Sequence, residues 1–137
     1  MNHKVISINS VPIHVEVADT EDLRQQGLMN RSALQSGSGM IFIFEKPGTL
    51  GFWMKNTRIP LSIAFVSEED EILNIEDMNP YDVTTVKSLG SAKCAIEVPQ
   101  GWFRKNGIKS GDIVAGLNDR VIMTESQIRK LVMEILI

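Results

Sequence analysis

Ile13-His14-Val15-Glu16-Val17 carries the clearest pattern in the chain. Ile13, Val15 and Val17 fall on one face of an extended segment and His14 and Glu16 on the other, the period of two of a half-buried strand. Val5-Ile6-Ser7-Ile8 stands before it across Asn9-Ser10-Val11-Pro12, so two early strands are predicted. Asp19-Thr20-Glu21-Asp22 then supplies side-chain oxygens for the free amides of a first helical turn, and Gly27 ends the short helix. Leu28, Met29 and Leu34 turn the following connection toward the core.

Further along, Gly39-Met40-Ile41-Phe42-Ile43-Phe44 reads as an apolar strand and Lys46-Pro47-Gly48-Thr49 as the turn after it. Phe52-Trp53-Met54-Lys55-Asn56-Thr57 reads as a strand with Phe52 and Met54 on one face and Trp53, Lys55 and Thr57 on the other. Residues 61–66 and 71–75 flank the acidic turn Ser67-Glu68-Glu69-Asp70 as a hairpin. Residues 79–93 form a long loop with an irregular strand near 84–86. Ala95-Ile96-Glu97-Val98 is a strand stopped by Pro99, residues 100–106 a short helix closed by Gly107, and residues 112–117 a last strand. Many short strands with few helices predict a mainly β fold, an antiparallel β-sandwich of jelly-roll type with two short helices. Residues 1–120 form this single domain, and residues 121–137 an appended C-terminal amphipathic helix.

Composition narrows the function classes. At 137 residues and 43% hydrophobic content the chain suits one globular domain and is too apolar for a disordered one. A net charge of −3 argues against nucleic acid as the partner. The single cysteine, Cys94, excludes an internal disulfide and any paired-cysteine metal set. No apolar run is long enough for a transmembrane segment, and the alternating start lacks the apolar block of a signal peptide. The expectation is a soluble, cytoplasmic protein.

No catalytic constellation assembles. His3 lies near the terminus and His14 on a polar strand face, Cys94 begins an apolar strand, and the glycines form neither a P-loop nor a dinucleotide fingerprint. No cofactor and no metal are called for. Glu97 stands inside an apolar strand, so its side chain must leave the core face, and solvent is its simplest destination. Residues 52–60 have the most unusual composition. Trp53, Lys55, Asn56, Thr57 and Arg58 bring an indole, an ammonium, an amide, a hydroxyl and a guanidinium together. On a strand they make a flat apolar platform beside hydrogen-bond donors, suited to a sugar, a small polar ligand or a protein surface. The competing placement puts Trp53 in the core with Lys55 lying over its edge. Arg31 and Glu97 complete the candidate ligand-binding set.

In the tail, Thr124-Glu125-Ser126-Gln127 has capping-box spacing, and Met123 with Ile128 has that of a hydrophobic staple. Ile128, Leu131, Val132, Ile135 and Leu136 line one helical face. A helix this short needs that face covered, either by its own domain or by a docked protein partner.

Five blocks together resemble a known family: Gln26-Gly27-Leu28-Met29-Asn30-Arg31, Gly39 to Phe44, Phe52 to Thr57 with Ile59-Pro60-Leu61, Glu97-Val98-Pro99-Gln100-Gly101-Trp102, and Asn106-Gly107-Ile108-Lys109-Ser110-Gly111-Asp112. They resemble the bacterial and archaeal domain of unknown function 192, over about residues 15–114. The resemblance implies a jelly-roll sandwich and no defined activity. Ser62 stands where that family often has Asp, so no acidic-ligand role is carried over. Residues 123–132 are similar to short helical segments in tailed marine bacteriophage proteins, which implies a docking element and a possible virion location. Three functions follow: a non-enzymatic binding module; an accessory component, viral in origin, docking through its C-terminal helix; and a hydrolase using Cys94 with His14.

Overall fold

The computed structural model describes residues 1–118 and 125–136. Strands β1 (Asn2–Ile8) and β2 (Val11–Ala18) form the hairpin that the alternation predicts, with Ile13 and Val15 fully buried. Asn9 and Ser10 both take positive φ, at 52° and 66°, which matches a two-residue turn to the strand twist. His3 is part of β1 and not a loose end: its Nδ1 lies 3.2 Å from Nε2 of His14 on the facing strand.

The antiparallel sandwich gives way at the next strand. β3 (Ser38–Gly48) lies parallel to β2, from His14 opposite Ser38 to Ala18 opposite Phe42. A parallel neighbour needs a crossover of a dozen or more residues. Residues 19–37 supply it, carrying helix α1 (Glu21–Gln26) with Thr20 as the N-cap accepting from the Leu23 amide at 3.2 Å. β3 then pairs with β8 (Ala92–Pro99), β8 with β5 (Leu61–Val66), and β5 with β6 (Ile72–Met78), all antiparallel. The result is a curled, mixed, seven-stranded sheet ordered β6-β5-β8-β3-β2-β1-β9, where β9 is Val114–Ala115.

The ends of the curl meet. The Ile72 amide donates to the Asp112 carbonyl at 2.9 Å, and the Gly111 and Val114 amides donate to Ile72 and Asp70 at 2.8 Å. The same stretch continues into β9, which pairs with β1. One short segment therefore ties both sides of a half-barrel, and only Val114 and Ala115 of the strand expected at residues 112–117 are regular.

Every residue of β5 is buried, because both faces of the central strands are covered. On the inner face Ile6, Ile8, Ile13, Val15, Ile41, Cys94, Ile96 and Val98 pack with Trp102 and Phe103 of helix α2 (Trp102–Lys105). On the other face Met40, Phe42, Leu61, Ile63, Phe65 and Ala95 pack under Leu28 and Met54. This second layer comes from the crossover and from a two-stranded ribbon, β4 (Gly51–Phe52) with β7 (Val86–Lys87).

Helix α3 (Glu125–Leu136) lies against β1 and β2, and Ile128 is fully buried there. The expected cap at Thr124, the staple at Met123 and the boundary at residues 120–121 fall outside the described residues. No described helix is long and apolar enough to cross a membrane.

Candidate functional site

The site grows from one strand. Along β8 alternate side chains change face, so Cys94, Ile96 and Val98 enter the inner core while Ala95 and Glu97 face the crossover side. Glu97 stands opposite Met40 on β3 and Ile63 on β5, both wholly buried and apolar. It does not reach solvent as the sequence suggests, for it is only 4% exposed. The reason is the second layer: α1, residues 27–29 and the ribbon cover a sheet face that an open antiparallel sheet would have wetted. Loss of hydration pushes its carboxyl pKa up from 4.5 to about 8.

Glu97 nonetheless borders a cavity of about 420 Å³. The walls are Leu28, Met29, Phe42, Phe44, Phe52 and Met54, and Glu21, Arg24, Gln25 and Gln26 of α1 stand along one side. Phe52 packs edge-on against Phe42 and Phe44, with ring centroids 4.9 and 6.1 Å apart. Arg24 is fixed by a 2.9 Å bond to the Ile43 carbonyl, and its guanidinium lies 5.0 Å from the Phe44 ring centre. Among the described residues no protein group hydrogen-bonds the Glu97 carboxyl, and its oxygens are not sealed away from the cavity.

The expected platform is only partly assembled. Residues 53–57 leave the ribbon and turn, with the Thr57 amide donating to Met54 O at 3.1 Å and Asn56 at a φ of 53°. Backbone bonds from Met54 to Asp82, Asn30 to Asn56 and Tyr81 to Thr57 hold this turn in place. The strand face shared by Trp53, Lys55 and Thr57 therefore does not exist. Trp53 is 49% exposed at the cavity rim, which excludes the alternative of a core tryptophan. Lys55 is exposed with its ammonium 5.5 Å from the Trp53 ring centre, and Asn56 and Arg58 are exposed outside the cavity lining. Thr57 is buried and lines the cavity. Arg31 lies in a different hollow, beside His3 and His14, where it grips Glu16 through two bonds of 2.7 and 2.9 Å.

The cavity thus unites Trp53, Thr57 and Glu97 and leaves out Lys55, Asn56, Arg58 and Arg31. It adds Arg24 and three phenylalanines that sequence reasoning missed. The spacing of Phe42 and Phe44, two apart on one strand, was a usable signal. Nothing in the sequence marks Arg24, which arrives through the parallel crossover.

Other candidates fare differently. Cys94 is buried in the inner core, where desolvation pushes its thiol up to about 12, a poor setting for a thiolate. His14, on the other face of β2, meets His3 instead. Among the described residues no three or more His, Cys, Asp or Glu side chains are grouped to hold a metal. Of the docking set, Ile128 is buried and Val132 half-buried; the side chains of Leu131, Ile135 and Leu136 lie outside what is described.

The profile of an uncharacterised family, domain of unknown function 192 (DUF192), described as "Uncharacterized ACR", matches residues 4–116. The chain belongs to the DUF192 family. Two solved structures share its architecture. A protein of unknown function from Novosphingobium aromaticivorans DSM 12444 is 33% identical with a TM-score of 0.79, the match covering 83% of the present chain and 85% of that one. A Sinorhizobium meliloti 1021 protein, provisionally named a transcription regulator, is 26% identical with a TM-score of 0.80, covering 85% and 94% of the two chains. No curated protein matches. The DUF192 match ends before α3 and lends nothing to the likeness of residues 123–132 to bacteriophage segments.

Proposed function

We propose that this DUF192 domain is a binding module for a small ligand with an apolar body and one hydrogen-bonding group, seated between α1 and the Trp53 turn. A single observation carries the reading: a buried carboxyl with no protein partner among the described residues lines a cavity walled by Leu, Met and Phe side chains and flanked on one side by the polar residues of α1. Buried polar groups in folded proteins nearly always have a partner, so an orphan at a cavity wall marks where a ligand atom belongs. The volume of about 420 Å³ falls within the usual range for small-molecule sites. Trp53 adds a broad rigid surface at the rim, and Thr57 adds a hydroxyl. The set of candidate residues thus contracts to Trp53, Thr57 and Glu97, with Lys55 acting only through its contact with the Trp53 ring.

Docking through α3 gains no comparable support, because Ile128 is already buried against its own domain. A hydrolase built on Cys94 and His14 has its two members in separate environments.

The test uses Trp53 as reporter in a Trp102→Phe background, which removes the other indole. Members of a small-molecule fragment library that bind should shift Trp53 emission, and a bulky Met29→Trp change, followed by nuclear magnetic resonance instead of fluorescence, should block the same compounds. Hits unaffected by the blocked cavity, or a library without hits, would overturn the reading.

A further inference from the structure

We infer that the ligand is an organic monocation, an ammonium or guanidinium on a compact apolar frame, with its charged head against the Glu97 carboxylate. This rests on the binding reading above and adds the chemical class. The argument starts from what faces Glu97. From β3 and β5 come Met40 and Ile63, from the Trp53 turn come Trp53 and Thr57, and from α1 come Arg24 and Glu21. Arg24 is already engaged, bonded to Ile43 O and stacked on Phe44. With Glu97 ionised, the charged lining carries one net negative charge, from Glu97 and Glu21 against Arg24. An anionic ligand would then meet a like charge in a poorly hydrated place, and with the proton on Glu97 the lining is neutral and holds no net charge to attract it.

The aromatic walls point the same way. Phe42, Phe44, Phe52 and Trp53 border one cavity. Ring faces carry negative potential and attract cations, more strongly where water is excluded. The same cavity wall already displays this preference, since a guanidinium rests over Phe44 and an ammonium over Trp53. A neutral ligand would pack on the rings but use neither their attraction for a cation nor the charge of a carboxylate. The raised proton affinity of Glu97 agrees with this: without ligand at neutral pH the group holds a proton, and an arriving cation releases that proton to solvent.

The experiment uses the full chain with 2-phenylethylammonium, benzylguanidinium and benzyltrimethylammonium, each compared with 2-phenylethanol and phenylacetate. Binding is read by calorimetry and by the Trp53 indole N–H resonance. At least one cation should bind about tenfold more tightly than the alcohol, with phenylacetate weakest. Glu97→Gln should abolish the roughly tenfold preference for the cation over the alcohol. If that variant misfolds, the native protein gives an independent measure: cation affinity should rise by up to about tenfold per pH unit from pH 6 to 8 and then level. Equal binding of alcohol and cation, without pH dependence, would overturn the cation assignment and keep the binding module. Preference for phenylacetate would do the same. Silence from these probes together with an empty fragment screen would remove both.

Discussion

At the scale of single residues, Glu97 shows how one side chain can oppose its own fold. Its carboxyl has a pKa of about 8 in the folded protein against 4.5 for the ordinary group. Between those values the folded chain holds a proton that the unfolded chain has lost, so stability falls as pH rises through this window and levels above it. The slope is about 1.4 kcal/mol per pH unit at its steepest. Urea unfolding at pH 5, 6, 7 and 8 should therefore show Glu97→Gln gaining on the native protein at each step; parallel curves would mean that Glu97 is ionised in the fold. Gly39 makes the burial geometrically possible, since a Cβ there would fall 2.1 Å from the Glu97 carbonyl oxygen. The sequence shows Glu97 as a polar residue in an apolar strand, but cannot show which face is dry. That depends on a layer contributed by residues far earlier in the chain, including Leu28.

At the scale of elements, local pattern was most readable where one strand or helix carries its own signal. The alternation of residues 13–17, the Thr20 cap and the hairpin around residues 67–70 all appear where their spacing puts them. The segment 52–57 misleads because its aromatic residues suit a strand, whereas the shape of residues 53–57 comes from distant backbone bonds to Asn30, Tyr81 and Asp82. Long-range fastening of this kind leaves no local trace. α3 offers a cleaner test. With Ile128 fully buried against β1 and β2, Ile128→Ala should cost about 2–5 kcal/mol and lower the melting temperature. An unchanged melting temperature would mean that the helix leaves its own domain in solution, and would return it to the role of a docking element.

At the scale of the whole molecule, topology was the part least legible. Strand number and class follow from composition and turns, yet the parallel pairing of β2 and β3 is set by the path of residues 19–37, which reads equally well as a loop between antiparallel neighbours. That one choice lays α1 over the sheet and makes the cavity. The tie at residues 111–114 is its counterpart on the opposite side. Val114→Pro would remove the amide that bonds Asp70, and should destabilise the protein by about 1–3 kcal/mol. Hydrogen exchange should then quicken in β1 and β6 together; a change confined to one of them would mean that the edges are held independently.

The same tie orders events in time. Lys4 reaches the Leu117 carbonyl and Asn9 reaches Asp112, contacts that span nearly the whole described domain. Contacts so distant in sequence carry a large loop-closure entropy and slow a folding chain. During synthesis the first hairpin can form early, but its outer edge stays unpaired until Val114 and Ala115 emerge. An exposed strand edge recruits other chains. The growing polypeptide is therefore most prone to aggregate just before those two residues appear, although they are among the shortest pieces of its sheet.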